Sequence, residues 1–178
     1  MKVVSLSKDR SHRFSKQPCD SLVLLEGLGV EGDAHCGATV QHRSRVKTDP
    51  TQPNLRQVHL MQTEPLADLR AQDFWVEPGT MGENILTEGI DLLSLPRNTR
   101  LKIGTEVVLR ITGLRNPCAQ LDNYQLGLTQ AVLDRDPDGN LLLKAGIMAV
   151  VESGGPVTLG SPISINLPSE PYEKLERV

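Results

Sequence analysis

Residues 106–112 read Glu-Val-Val-Leu-Arg-Ile-Thr, and this stretch decides the class of fold. Its apolar side chains at Val107, Leu109 and Ile111 alternate with the polar Glu106, Arg110 and Thr112. A period of two points one face of an extended strand into a core. The same alternation returns over residues 163–167. The sequence therefore predicts strands as the main structural element.

Further strand candidates contain mostly β-branched or leucine residues and are bounded by Gly, Pro, Asn or Asp. They are residues 2–6, 22–25, 56–60, 101–103, 141–143 and 147–151. With 15 Gly and 12 Pro but only 3% aromatic residues, the composition favours many short strands joined by turns.

Two segments predict helices instead. The first follows Thr63, an N-cap residue with Pro65 in the first turn. The second has apolar residues at helical spacing from Leu121 to Val132, and the turn sequence 136–139 ends it. About eight strands and two or three short helices predict a mainly β, barrel-like fold with an antiparallel or mixed sheet.

The length of 178 residues fits a single domain over residues 1–178. Within it we expect a core over about 3–167, a long surface loop over 39–54 and a loose tail over 168–178.

Charge and hydropathy exclude several classes of function. The net charge of −3 argues against a nucleic-acid-binding protein, which needs a basic face. No apolar run is long enough to span a bilayer, and the first residues lack the apolar region of a secretory signal. We therefore expect a cytoplasmic protein. Three cysteines fit no disulfide framework, so at least one thiol should be free.

Cys118 is the first candidate for chemistry. It ends the sequence Arg115-Asn116-Pro117-Cys118, between an apolar strand and the second predicted helix. The N-terminus of a helix and a neighbouring arginine favour a thiolate, which is both a nucleophile and a soft metal ligand. The alternative is a buried, inert cysteine.

The glycine-rich sequence 29–37 is the second candidate, because it places Asp33, His35 and Cys36 in one loop. Asp33 and His35 form an acid–base pair or orient a ligand, and the alternative is an ordinary turn with a surface histidine. A zinc site that adds His42 and His59 matches no known ligand spacing.

Two further motifs have structural explanations as well. The turn Gly79-Thr80-Met81-Gly82-Glu83-Asn84 offers backbone N–H groups to an anion, but it lacks the ending of a phosphate-binding loop. The basic residues His12, Arg13 and Lys16 matter only if the ligand is anionic.

Taken in order, these pieces resemble the MOSC domain, the module named for the C-terminal part of molybdenum cofactor sulfurases. The resemblance rests on Gly-Val-Glu-Gly-Asp-Ala-His at 29–35 with Gly37, and on the sequences at 79–84, 101–104, 115–118 and 151–155. It covers about residues 3–167, and no upstream domain accompanies it, so the chain resembles a stand-alone member of the family.

The resemblance implies a β-rich, barrel-like fold with a functional cysteine at Cys118, as catalytic residue and as ligand to molybdenum. It implies that Arg115, Asn116, Asp33, His35 and Asn84 bind a molybdenum-pterin cofactor.

Three functions follow from that resemblance. The first is a molybdenum-dependent oxidoreductase. It would reduce N-hydroxylated compounds with electrons from a partner reductase. The second is a sulfur carrier that accepts a persulfide on Cys118 from a partner cysteine desulfurase, which alone would hold pyridoxal phosphate. The third is a non-catalytic binding barrel.

The residues leave the remaining partners open. The substrate is expected to be a small molecule, with no nucleic acid and no membrane, and exposed strand edges are natural surfaces for a homodimer. The roles of Cys19 and Cys36 are not specified by their spacing.

Overall fold

The computed structural model describes residues 1–135 and 137–178, and over these residues the protein is built mainly from strands. The strands are β1 Lys2–Lys8, β2 Gln17–Pro18, β3 Ser21–Leu25, β4 Gly29–Val30, β5 Val58–Gln62, β6 Ile85–Glu88, β7 Arg100–Ile103, β8 Val107–Leu114, β9 Leu133–Arg135, β10 Leu141–Leu143, β11 Ile147–Ser153, β12 Gly155–Thr158 and β13 Ile163–Asn166. The α-helices are α1 Arg43–Thr48, α2 Thr63–Ala71, α3 Gln120–Tyr124 and α4 Leu128–Ala131, and a 3-10 helix covers Leu92–Ser94.

One eight-stranded sheet forms the body of the protein, in the order β13-β7-β8-β11-β5-β6-β1-β2. Its neighbours pair antiparallel except β5 and β6, which run parallel. A second sheet has the order β12-β3-β4, and β10 pairs with β9. The predicted mainly β fold with a mixed sheet is therefore confirmed.

The main sheet curls until its two ends meet. The N–H of Val3 in β1 donates to the carbonyl of Ser161 at 3.0 Å, and the N–H of Ile163 in β13 donates to the carbonyl of Met1 at 3.1 Å. The first strand thus touches the segment that leads into the last one. This contact gives the sheet the barrel-like curvature that the sequence predicts.

Apolar side chains pack on both faces of the curled sheet. The inner face carries the larger cluster, which includes the alternating Val107, Leu109 and Ile111 of β8. A second cluster lies on the outer face, where α2, α3 and α4 cover Met61 and Leu86. Burial on both faces explains why β5 and β11 are almost continuously buried, whereas burial alternates over residues 107–111 of β8.

The predicted helices are present with different bounds. Gln62, not Thr63, occupies the N-cap position of α2, and its side chain makes no capping hydrogen bond. The single helix predicted over 121–132 is wrong, because Gly127 adopts a left-handed φ of 89° and separates α3 from α4. Asp136, in the turn predicted to follow, lies outside the described residues.

Several short elements of the structure are not predicted by the sequence patterns. Strands β2, β4, β6, β9 and β12 have two to four residues each, too few for a period of two to be recognised. Helix α1 lies inside the predicted loop 39–54 and has no buried residue, so it carries no amphipathic pattern.

Within the predicted tail 168–178, residues 173–178 contact the sheet and the segment beside it. The N–H of Leu114 donates to the carbonyl of Glu176 at 2.8 Å, and Leu175 packs against the inner core. Among the described residues, no helix has both the length and the apolar character needed to cross a bilayer.

Candidate functional site

An open cavity of about 150 Å³ lies where residues 12–16, 35–56 and 115–120 meet. His59 of β5 and Gly82 close it from the sheet side. The φ of Gly82 is +79°, and a Cβ there would lie 2.7 Å from the carbonyl oxygen of Phe14. Glycine at this position therefore lets the segment 12–16 pack closely against the turn and form one wall.

Five of the six predicted site residues line this one cavity. They are Cys118, Arg115, Asn116, His35 and Asn84. Three widely separated parts of the sequence supply them, and the fold brings them together.

Cys118 sits on a short connection between β8 and α3. The N–H of Arg115 donates to the carbonyl of Gly146 at 3.0 Å, and the N–H of Leu121 donates to the carbonyl of Cys118 at 3.0 Å. The thiol is partly exposed, and its Sγ atom lies 3.6 Å from Oε1 of Gln120. The predicted position just before a helix is correct, but α3 has only five residues, so its dipole is small.

Two arginines supply positive charge beside the thiol. Burial lowers the pKa of Arg56 to about 10, with further lowering by the charges of Arg45 and Arg115, while a negative charge on Cys118 opposes this. Burial also lowers the pKa of Arg115, whereas negative charge on Cys118 or Glu83 would raise this pKa. Because Coulomb interactions are mutual, an anion at this place is stabilised by both guanidinium groups.

Both arginines have unused hydrogen-bond donors. The Nε atom of Arg56 and the Nη1 atom of Arg115 are inaccessible to solvent and have no partner in the protein. Buried donors are normally satisfied, and an unsatisfied one costs about 1–3 kcal/mol. Since both side chains line the cavity, an anionic ligand bound there would lie beside two guanidinium groups that the protein leaves partly unsatisfied.

Asp33 lies behind the cavity wall rather than on it. Its carboxylate accepts hydrogen bonds from Nζ of Lys16 at 2.7 Å, from the backbone N–H of His35 at 2.9 Å and from Nδ2 of Asn84 at 3.0 Å. Burial alone raises the pKa of Asp33, but the hydrogen bonds from His35 and the charge of Lys16 outweigh it and hold this pKa well below its usual range. Asp33 is thus a permanent anion that positions the loops around it.

The Asn84 side chain is fully used inside the protein. Its Nδ2 atom donates to Asp33 and to the carbonyl of Ser7 at 3.1 Å, and its Oδ1 atom accepts the N–H of His59 at 3.2 Å. Asn84 therefore joins β1 to β5 at the cavity wall, which makes it a positioning residue.

Most backbone N–H groups of the turn over 79–84 donate to groups within the protein. The N–H of Gly79 donates to Oε1 of Glu83, and that of Gly82 to the carbonyl of Gly79 at 3.0 Å. Those of Thr80 and Asn84 donate to the carbonyls of Glu77 and His59. The second carboxylate oxygen of Glu83 is buried without a partner, and burial raises the pKa of Glu83 to about 6.

All four histidines line the cavity, namely His12, His35, His42 and His59. The rings of His12 and His35 meet edge to face with centroids 5.1 Å apart. Burial lowers the pKa of His42 to about 4, with further lowering by the charges of Arg56, His35, Arg45 and His12. Burial also holds the pKa of His59 well below its ordinary value, and its Nε2 atom lies 2.8 Å from the carbonyl of Ala145.

The zinc alternative has no geometric support. Within residues 1–135 and 137–178, no three His, Cys, Asp or Glu side chains lie close enough to share a metal ion. Cys19 packs against the inner core, Cys36 does not line the cavity, and all three thiols are free. Burial raises the pKa of both Cys19 and Cys36.

Most of the cavity's positive charge comes from residues that no sequence motif marks. Arg43, Arg45 and Arg56 lie in or just after the segment 39–54 that was expected to be a surface loop. The signal that could have found them is the density of basic residues over 42–47. His12, Arg13 and Lys16, whose interest depended on an anionic ligand, line the same cavity.

Comparison with known proteins gives one family and several similar structures. The family model "MOSC domain" matches residues 34–164, whereas no curated protein matches the chain. The crystal structure of the YuaD protein of Bacillus subtilis has a TM-score of 0.74 at 23% identity, covering 94% of this chain and 96% of that one. The YiiM protein of Escherichia coli has a TM-score of 0.62 at 19% identity, covering 97% and 73%. At such identities these structures support the fold alone.

Proposed function

The chain belongs to the MOSC domain family, and on that basis we propose that it binds a molybdenum-pterin cofactor through Cys118 and reduces N-hydroxylated compounds. The family is associated with binding of the molybdenum cofactor. The observation that carries the proposal is the pair of buried, unsatisfied donors on Arg56 and Arg115 beside a partly exposed thiol.

The residues present fit such a group. A thiolate is a soft ligand suited to a metal of this kind, and guanidinium groups bind phosphate by charge-assisted hydrogen bonds. Cys118 would ligate the metal, while Arg56 and Arg115 would hold the phosphate of the pterin. When bound, the cofactor supplies a metal centre that can exchange an electron pair.

The other residues hold this arrangement in place. Asp33 fixes the backbone of His35, and Asn84 fixes β5 against β1. Reduction of an N-hydroxyl group breaks the N–O bond, takes up an electron pair and protons, and releases water. The electrons come from a separate reductase. Asn116 is exposed at the cavity and can donate a hydrogen bond to the substrate.

Metal analysis tests this proposal. Wild type, Cys118→Ser and Cys36→Ser are purified from a host that makes the cofactor, and molybdenum content and pterin fluorescence are measured. We expect near-stoichiometric molybdenum in wild type and in Cys36→Ser, and its loss in Cys118→Ser. Cys36 is a matched control, because it is also partly buried but lies outside the cavity wall. Wild-type protein free of molybdenum would overturn the proposal.

A sulfur carrier is the second candidate function, and the partial exposure of the Cys118 thiol favours it. In that reaction the Cys118 thiolate attacks the outer sulfur of a persulfide on a cysteine desulfurase. The S–S bond of the donor breaks, and the desulfurase thiolate leaves. Incubation with a desulfurase and cysteine should then add the mass of one sulfur to wild type and Cys36→Ser, removable by a thiol reductant. No adduct on wild type would refute this function.

A further inference from the structure

The cavity concentrates unpaired positive charge in a protein whose net charge is negative. Its wall carries five arginines, and none of the Asp and Glu residues that the structure describes lies on it. They are Arg13, Arg43, Arg45, Arg56 and Arg115. Among the carboxylates that the structure describes, only one lies within salt-bridge distance of any of these five arginines: Asp9, at 3.9 Å from Arg13.

Several arginines elsewhere on the described surface are paired. Arg70 contacts Glu77 at 3.1 Å, and Arg100 and Arg110 share Glu152 at 2.6 and 2.7 Å. The cavity wall thus gathers four arginines for which the described residues supply no carboxylate partner. An uncompensated cluster of like charges is disfavoured without an anionic ligand.

These charges form two levels. Arg56 and Arg115 lie inside, where each has a buried donor and both line the cavity beside Cys118. Arg43 and Arg45 lie further out on α1, Arg43 exposed and Arg45 partly so. The outer pair has no acidic partner among the described residues, and Arg45 also repels Arg56.

One phosphate monoester carries a charge of about −1.5 to −2 at neutral pH. The inner arginines match that charge by themselves. The cofactor's phosphate therefore does not need the positive charge of Arg43 and Arg45, although both line the same cavity. Charge at the mouth of a cavity attracts anions and binds them on entry.

We propose that Arg43 and Arg45 form a second anion subsite, which binds a phosphate or carboxylate group of the substrate. The protein then acts on N-hydroxylated compounds that carry such a group rather than on neutral ones. For the reaction this inference rests on the proposed function. Its anion-binding part stands on the two levels of arginine alone.

Binding of phenyl phosphate tests the subsite without turnover. Its affinity is measured by calorimetry at low salt for wild type, Arg45→Gln and Lys47→Gln, each purified from the host that makes the cofactor. Lys47 is the matched control, because it carries the same charge on the same helix but does not line the cavity. We expect the affinity to fall about tenfold in Arg45→Gln and to change little in Lys47→Gln. Phenol, which lacks the phosphate, should bind much more weakly to wild type.

Steady-state kinetics extends the test to the reaction. For an aryl hydroxylamine and its para-carboxylate, the KM of the charged substrate should rise about tenfold in Arg45→Gln, and much more than that of the neutral one. A benzoate probe in the binding assay separates carboxylate from phosphate as the preferred group.

The outcomes separate the two proposals. Equal phenyl phosphate affinity in wild type and Arg45→Gln would overturn the second subsite, whatever the metal content. Loss of molybdenum in Arg45→Gln would also overturn it, because Arg45 would then hold the cofactor. If every variant lacks molybdenum but affinity still depends on Arg45, the proposed function fails and the anion subsite is supported.

Discussion

Replacing Glu83 with Gln should stabilise the protein at neutral pH by about 2 kcal/mol. Burial raises the pKa of Glu83 from 4.5 to about 6, and one pKa unit corresponds to about 1.4 kcal/mol. Between these two values the folded state keeps a proton that the unfolded state has lost. The free energy of unfolding of wild type therefore falls as the pH rises through this range, and Glu83→Gln should lack this fall.

The structure explains why Gln suits this position. Oε1 of Glu83 accepts the N–H of Gly79, which the amide oxygen of Gln can also accept, and the other carboxylate oxygen has no partner. Gln thus imitates the protonated acid. Glu77→Gln is the control, because Glu77 is an exposed carboxylate near the same turn and should change stability by less than about 1 kcal/mol.

Urea unfolding followed by far-ultraviolet circular dichroism measures the effect at about pH 4.5 and pH 7.5. Tryptophan fluorescence is a poor reporter here, because Trp75 is already 82% exposed in the folded protein. If Glu83→Gln were less stable than wild type at neutral pH, the reasoning would be refuted. The charges of Arg115 and Lys16 would then stabilise the carboxylate more than burial disfavours it.

Three further predictions follow from the same structure. Asp33→Ala should lower the free energy of unfolding by about 3–5 kcal/mol, because it leaves Lys16 buried without its partner; a loss below about 1 kcal/mol in urea unfolding would contradict this. Inorganic phosphate should slow alkylation of Cys118 by iodoacetamide but not that of Cys36, as read by peptide mass spectrometry, and equal effects on both thiols would argue against an anion site beside Cys118. Deleting residues 168–178 should cost about 2 kcal/mol through lost packing and hydrogen bonds, and an unchanged Tm would show that this segment adds nothing to stability.

The fold was predictable where a strand has one buried face. The pattern over 106–112 gives β8 directly, because its alternating residues Val107, Leu109 and Ile111 are all buried. Helix α1 was missed because it packs no side chain into the core, and the break at Gly127 was missed because spacing alone does not show a left-handed residue.

The site was predictable where a motif marks it. Cys118 and Arg115 were found because they stand together in a short sequence between a strand and a helix. Arg45 and Arg56 were not, because single arginines in a polar segment look like surface residues. Their meaning depends on which carboxylates lie near them, and only the folded chain shows that.

The meeting of the two ends of the curled sheet also bears on the rate of folding. The hydrogen bond from Val3 to Ser161 joins residues separated by most of the chain. Contacts of such high sequence separation must overcome a large loss of chain entropy before they form. Refolding from urea should therefore be slow for a domain of this size, in about the millisecond-to-second range typical of β-rich proteins. Variants that weaken the contact between β1 and the segment before β13 would then unfold faster, with little change in the refolding rate if that contact forms after the transition state.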